Sequence, residues 1–317
     1  MMYLAADIGG TYSRFALSGD GGSDEQRVQV FDNADFDGLE SMIARALDVP
    51  GFAGQPIDRM VLALPGPVHD DPVQLTNIDW QLHRKALLER FRVAELKVVN
   101  DFQAAALGAV VDAPETTRVL NPAARQAGPM VVAGAGTGLG MAWFPDSRDR
   151  TMPQATEGGH LDFAPVNDEQ VALYRWLADR YGHVSYERIL SGNGLLDTYR
   201  FVAAEGATAE SAAEVTAAAR RDEAHALKAE HIFVEIFAAY AGNLALAFTP
   251  TAGIYLCGGV TAHLADWFQA DRFFAAYAAK GRMRGVVERI PVYLVTRRDA
   301  GLAGAVMIAR NSYRADS

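Results

Sequence analysis

Only one cysteine, Cys257, and four lysines occur among 317 residues. A single thiol can form neither an internal disulfide nor a metal centre built on several cysteines. It lies in the apolar run Gly253-Ile-Tyr-Leu-Cys257, the setting of a buried small hydrophobe rather than a reactive thiol. The scarcity of lysine accompanies a net charge of −10 and a pI near 5.2, which argues against a surface for nucleic acid or anionic membranes. Any phosphate ligand must then be held locally, by backbone N–H groups, a metal ion and a few side chains. No run approaches the ~20 apolar residues of a membrane helix. Asp7 and the glycines after it interrupt the N-terminal apolar stretch, so no signal peptide is read and a soluble, cytoplasmic protein is expected. Three glycine signatures are missing as well. Gly134-Ala-Gly136-Thr-Gly138-Leu has the wrong spacing for a dinucleotide-binding turn and runs into Met-Ala-Trp-Phe rather than a helix. No G-x-x-x-x-G-K-[ST] occurs, and Asp101-Phe-Gln without an H-R-D excludes the protein-kinase set.

What is present is a globular chain, half hydrophobic and 21% charged, long enough that two lobes are the default. Two short glycine turns sit in similar apolar frames. The first is Met2-Tyr-Leu-Ala-Ala-Asp7-Ile-Gly9-Gly10-Thr11, continuing to Phe15-Ala-Leu; the second is Met130-Val-Val-Ala-Gly134-Ala-Gly136-Thr137-Gly138-Leu-Gly140, continuing to Phe144. Each reads as strand, tight turn, strand. Successive backbone N–H groups in such turns make a concavity for anions, phosphate above all. Two of them point to two related lobes facing one ligand.

Between and beyond the turns, strands are expected at Arg27–Phe31, Arg59–Leu64, Glu95–Val99, Gly253–Val260 and Pro291–Val295. Helices are expected at Asp35–Leu47, Arg84–Phe91, an alanine-rich segment from Phe102, Asp168–Tyr181, Ser185–Leu190 with Ser185 as N-cap, a long run from Ala207 to Phe248, Asp266–Ala279 and Ala300–Ala309. The alternation indicates α/β lobes. The strand ending at Asn100-Asp101 places polar residues where α/β sheets put ligands. A carboxylate there suits a general base, and the same pair equally suits a helix cap.

The chain resembles the bacterial glucokinases of the hexokinase and actin-like ATPase superfamily. The resemblance rests on Asp7-Ile-Gly-Gly-Thr11, Leu75-Thr-Asn77-Ile-Asp-Trp80, Val99-Asn100-Asp101-Phe102, Gly134-Ala-Gly-Thr-Gly-Leu-Gly140, Glu157-Gly-Gly-His160, Gly182-His-Val-Ser-Tyr-Glu187-Arg-Ile-Leu-Ser-Gly192 and Cys257-Gly-Gly-Val260, in order along nearly the whole chain. It implies a two-lobed α/β fold of the actin-like ATPase (ribonuclease H-like) type with an interlobe cleft. The small domain would comprise residues 1–101 with about 303–317, and the large domain 102–302. A related repressor and kinase family carries a cysteine-rich zinc motif that one cysteine cannot build, so the zinc-free glucokinases are the nearer match.

The resemblance also implies roles. Asp101 would be the catalytic base. A hexose presents hydroxyls that both donate and accept, and Asn100, Glu157, His160 and Glu187 fall on the family's sugar-contacting positions, with Asp101 also at the substrate and Asn77 lining the far side of the sugar. For Asn77 a turn role is nearly as good, and His183 reads as structural. ATP phosphates would lie between Asp7-Ile8-Gly9-Gly10-Thr11 and Gly136-Thr137-Gly138, with adenine approaching Gly258-Gly259. Asp7 would hold Mg²⁺ directly or through water; its counterpart in the second turn is Gly134. The implied reaction is phosphorylation of glucose at the 6-hydroxyl by ATP, the first step of glycolysis, by a homodimer. Another hexose, or an inactive sugar-sensing regulator of the same fold, are the alternatives. Tyr12 and Ser13 depart from the family's usual asparagine and small residue, which bears on the nucleotide turn.

Overall fold

The computed structural model describes residues 2–18, 27–50, 53–76, 78–111, 114–148 and 152–310. In chain order the described strands are β1 (Tyr3–Ile8), β2 (Tyr12–Ser18), β3 (Arg27–Asp32), β4 (Ile57–Leu64), β5 (Val73–Gln74), β6 (Gln81–Leu82), β7 (Val93–Asn100), β8 (Thr117–Asn121), β9 (Met130–Ala135), β10 (Leu139–Phe144), β11 (Gln154–Thr156), β12 (Gly253–Cys257) and β13 (Val292–Val295). The described helices are α1 (Leu39–Leu47), α2 (Arg84–Phe91), α3 (Asp101–Ala109), α4 (Asp168–Tyr181), α5 (Gly192–Ala203), α6 (Ala212–Ala219), α7 (Ala224–Phe248), α8 (Gly259–His263), α9 (Ala270–Tyr277), α10 (Arg284–Val287) and α11 (Ala300–Ala309). They form two compact units: Met1–Val111 with Arg150–Ala155 and Asp299–Ser317, and Asp112–Asp149 with Thr156–Arg298.

The first unit is built on a sheet of order β3-β2-β1-β4-β7. β1 pairs antiparallel with β2 through the first glycine turn and parallel with β4, which is parallel to β7. β1 and β4 are buried along most of their length, as near-continuous apolar runs in a parallel pairing should be. The sequence reading placed the segment from Phe102 in the larger domain. Here α3 belongs to the first unit because it lies against α11 at backbone contact: a Cβ on Gly304 would run into the backbone of Ala104, and one on Gly108 into that of Ala300. Two glycines thereby let the helices that follow Asn100 and Asp299 approach far closer than ordinary side chains allow.

In the second unit β9 pairs antiparallel with β10 through the second glycine turn and parallel with β12; β12 is parallel to β13, whose other neighbour is the antiparallel β8. The core is centred on α7, whose Phe233, Phe237 and Tyr240 are fully buried. Among the described residues α7 is long and apolar enough to cross a membrane, contrary to the expectation that no run approaches that length; 67% of its most apolar stretch is buried inside the protein. It is a core helix.

The expected helix from Ala207 to Phe248 is two. Ser211 caps α6 by accepting from Glu214 N at 3.2 Å. Asp222 then turns left-handed (φ 60°), and the Glu223 carboxylate opens α7 by accepting from the His225 and Ala226 N–H groups. Ser185 precedes only a single 3₁₀ turn, Tyr186–Arg188, and makes no capping bond; the capping serine is Ser191, which accepts from Gly194 N at 3.1 Å and starts the unanticipated α5. Likewise Asp35–Leu47 and Asp266–Ala279 each begin with a separate 3₁₀ turn before the helix proper.

Candidate active site

In the first unit the pairing of β1 with β2 leaves Gly9, Gly10 and Thr11 to turn the chain. Gly9 N–H donates to Tyr12 O at 3.1 Å, so that donor is used inside the turn, and Ile8 is buried in the strand. Gly10 is half-buried and Thr11 exposed at the tip of the turn. The turn is braced by Asn33, a buried side chain that accepts from Ser13 Oγ at 2.8 Å and donates to Gly9 O at 2.8 Å. Ser13, one of the departures from the family pattern, is thus a structural partner of Asn33. Tyr12, the other, has its side chain 51% exposed and contributes its carbonyl to the turn.

Asp7 is the penultimate residue of β1, next to this turn. Burial pushes its carboxyl up to about 6, against the pull of Arg14, whose Nη1 lies 3.8 Å away, and with a further push from Asp299. The carboxylate occupies the space in front of Gly301, where a Cβ would come within 2.5–2.7 Å of it. Asn100 ends β7 and caps α3: its Oδ1 accepts from Phe102 N at 3.0 Å and Gln103 N at 3.2 Å, and its Nδ2 donates to Gly66 O at 3.3 Å. The capping role open to either residue of the pair therefore falls on Asn100. Asp101 starts the helix, its Oδ1 accepting from Phe102 N at 2.7 Å. Burial, then the charge of Asp7, push its carboxyl up to about 6, with backbone N–H groups opposing. Asn77 lies outside the described residues.

In the second unit Gly136 N–H donates to Gly138 O at 2.8 Å and Gly136 O accepts from Gly192 N at 2.9 Å, which fixes the second turn against the start of α5. Thr137 projects from it, exposed. Gly258 joins β12 to α8 with φ 103° and lies against the backbone of Ala135 so closely that a Cβ would not fit; the space beside Gly259 is open. Glu157, His160 and Glu187 come together here. His160 Nε2 lies 3.8 Å from Glu157 Oε2, and His160 Nδ1 lies 3.8 Å from Glu187 Oε1. Glu157 is 92% exposed and Glu187 only 31%, so the first is free to reach a ligand and the second is held. Both segments are fixed by α7. Tyr240 donates from its hydroxyl to Gly158 O at 2.9 Å, and its ring packs 4.6 Å from that of Tyr186.

The described residues contain no group of three or more His, Cys, Asp or Glu that could hold a metal ion by itself. One half-buried carboxylate, Asp7, combined with phosphate oxygens and water, is nonetheless the donor set Mg²⁺ habitually takes, because it keeps several waters and dedicated protein cages are unusual for it. His183 is exposed and pairs with Asp162 at 2.6 Å, in keeping with a structural role. Cys257 is buried, and burial pushes its thiol up to about 12, which makes it inert.

Sequence reasoning missed Asn33, Asp299 and the start of α5. The signal for Asn33 was faint, a polar Asp-Asn-Ala-Asp turn after a strand. Ser191 and Asn193 line, with Thr137, Glu187, Arg188 and Asp197, a cavity of about 220 Å³ beside the second turn; the capping serine before Gly192 was readable as a helix start.

The Glucokinase family model matches residues 4–312. The chain is 39% identical to the glucokinase of Chromohalobacter salexigens over 313 residues, covering 97% of each chain, and 37% identical to that of Marinobacter nauticus, covering 98% of this chain and 97% of the other. Among solved structures, the glucokinase of an Antarctic psychrotroph superposes with a TM-score of 0.80 at 29% identity, covering 98% of this chain and 99% of that one. The fold alone is shared with a ROK family glucokinase from Streptomyces griseus, a structure in complex with glucose and AMPPNP: TM-score 0.65, 20% identity, coverage 98% and 100%. The two-unit α/β architecture, the two glycine turns and the full-length match together place this chain in the glucokinase family.

Proposed function

We propose that this protein transfers the γ-phosphoryl group of ATP to the 6-hydroxyl of glucose, giving glucose 6-phosphate and ADP at the entry to glycolysis, with Asp101 as general base. The observation that carries the reading is the position of Asp101, the first residue of α3 directly after strand β7, where Asn100 is the N-cap, only one Asp101 carboxyl oxygen is engaged by the Phe102 N–H, and burial and Asp7 raise the proton affinity toward neutrality. A base with a pKa near the working pH combines the correct protonation state with useful driving force. Family membership across residues 4–312 supports the substrate pair.

The chemistry follows from the residues. As the sugar O6 bonds to phosphorus, its proton passes to the Asp101 carboxylate, contributing roughly 10²–10⁴ in rate. Glu157, His160 and Glu187 hold the remaining hydroxyls, two carboxylates accepting and the imidazole able to do either. The backbone N–H groups of Gly10 and Thr11, and of Thr137 and Gly138, would cradle phosphate oxygens. Asp7 would hold Mg²⁺, which when bound neutralises phosphate charge that a chain of net charge −10 cannot offset from its own surface. Gly259, with open space beside it, leaves room for adenine. The homodimeric state rests on family resemblance.

ATP, Mg²⁺ and a panel of hexoses, followed by ADP release, test the reading. Glucose should give the highest kcat/KM; a higher value for mannose, fructose or an N-acetylated sugar would reassign the substrate.

A further inference from the structure

Glu187 has two carboxyl oxygens with different partners. Oε1 lies on the side of His160, at 3.8 Å. Oε2 accepts a hydrogen bond from the backbone N–H of Leu139 at 2.9 Å, the first residue after the Gly136-Thr137-Gly138 turn. The contact is close enough to dictate sequence. A Cβ on Gly138 would sit 2.5 Å from Oε2 and 3.3 Å from the carboxyl carbon, so position 138 admits only glycine while Glu187 keeps this pose. Thr137 and Glu187 also line one cavity. The residues carrying Glu187 are themselves fixed. Tyr186 packs on Tyr240 and accepts from Asn243 Nδ2 at 2.8 Å, and Asn243 accepts from Lys280 Nζ at 2.7 Å.

We infer that Glu187 is a positioning residue for the phosphate turn as well as a sugar ligand, and that through it sugar and nucleotide binding are coupled. The inference rests on the reading of Glu187 as a sugar contact and of the second turn as a phosphate cradle. A charged acceptor on Leu139 N–H ties the shape of the turn to the position of the Glu187 carboxylate, and a charge-assisted bond of this kind is among the stronger ones. When sugar hydroxyls engage Oε1, the carboxylate is immobilised and the turn with it. The nucleotide then meets a turn already ordered. Linkage makes the effect reciprocal, so ADP must tighten sugar binding by the same factor.

The test is calorimetric titration of ADP with Mg²⁺ into sugar-free protein, for wild type, Glu187→Ala, Glu187→Gln and His160→Ala. A residue serving only the sugar leaves nucleotide affinity alone when no sugar is present. The coupling account expects Glu187→Ala to weaken ADP binding about 5- to 20-fold, from loss of a hydrogen bond to a charged group. Glu187→Gln, which retains an acceptor for Leu139 N–H, should stay within about threefold of wild type, and His160→Ala should not move. Melting temperatures identify any variant that fails to fold; if Glu187→Ala does, wild type and Glu187→Gln still read the effect through glucose, whose binding saturating ADP should tighten in both, and no tightening in wild type overturns the coupling. Wild-type ADP affinity in Glu187→Ala, or equal losses in Glu187→Ala and Glu187→Gln, overturns the coupling while leaving the kinase reading intact. Absence of ADP binding by wild type overturns both.

Discussion

Asp101 shows how much of a catalytic residue is made by its neighbours. The adjacent Asn100 takes the capping bonds to Phe102 and Gln103, and burial beside Asp7 raises the proton affinity of Asp101 to about 6. Two consequences have opposite signs for activity and stability. The base works only when ionised, so kcat/KM should fall as pH drops through about 6, and Asp101→Asn should lower kcat by roughly 10²–10⁴. A carboxyl whose folded-state pKa is raised contributes most to stability when protonated, below the ordinary carboxylate range near 4, and that contribution is lost as pH rises through 6. Asp101→Asn, whose Oδ1 can keep the Phe102 N–H bond, should therefore melt higher than wild type at pH 8, by on the order of 1 kcal/mol. The difference should vanish below about pH 4. Thermal melts of both proteins at several pH values, with pH–rate profiles, check the pair of effects; a variant less stable at pH 8 would show that the carboxylate is not strained.

At the scale of elements, strands and hairpins were the most legible. The two glycine hairpins were readable because apolar frames flank a turn that glycine makes cheaply, and β1–β2 and β9–β10 pair there. Asp168–Tyr181 and Ala300–Ala309 form helices at the expected residues, their ends marked by Asn167 and Gly182 in one case and by Arg298-Asp299 in the other. What local pattern could not show was where helices break inside a long apolar-polar run, because Asp222 turning left-handed and Glu223 capping are tertiary choices for residues that also suit helix interiors. Nor could it show that α3 belongs with α11. That partnership depends on Gly108 and Gly304, which in sequence read only as helix-weakening residues. Gly304→Ala should cost about 1–3 kcal/mol, since its Cβ would enter the backbone of Ala104 and the helices must part. It should also lower kcat, because α3 begins with Asp101 and α11 carries Gly301 against Asp7. Urea unfolding midpoints and steady-state rates test both; a tolerated Gly304→Ala would mean the two helices are not held at backbone contact.

For the whole molecule, composition narrowed the field before any motif did. One cysteine, few lysines and an acidic balance leave a protein that must gather phosphate with backbone N–H groups rather than with a basic surface. Candidate residues are distributed over both compact units, with Asp7, Asn100 and Asp101 in the first and the Gly136–Gly138 turn, Glu157, His160 and Glu187 in the second. The sequence motifs could name those residues because they are short and ordered along the chain. They could not show that Asn33 braces one turn and Glu187 the other, since side-chain bonds across dozens of positions leave no local pattern. The central claim is that this chain phosphorylates glucose. Incubation of the purified protein with ATP, Mg²⁺ and glucose, followed by ³¹P NMR, tests it most directly: the account predicts equimolar ADP and glucose 6-phosphate, and ADP appearing no faster with glucose than without it would contradict it.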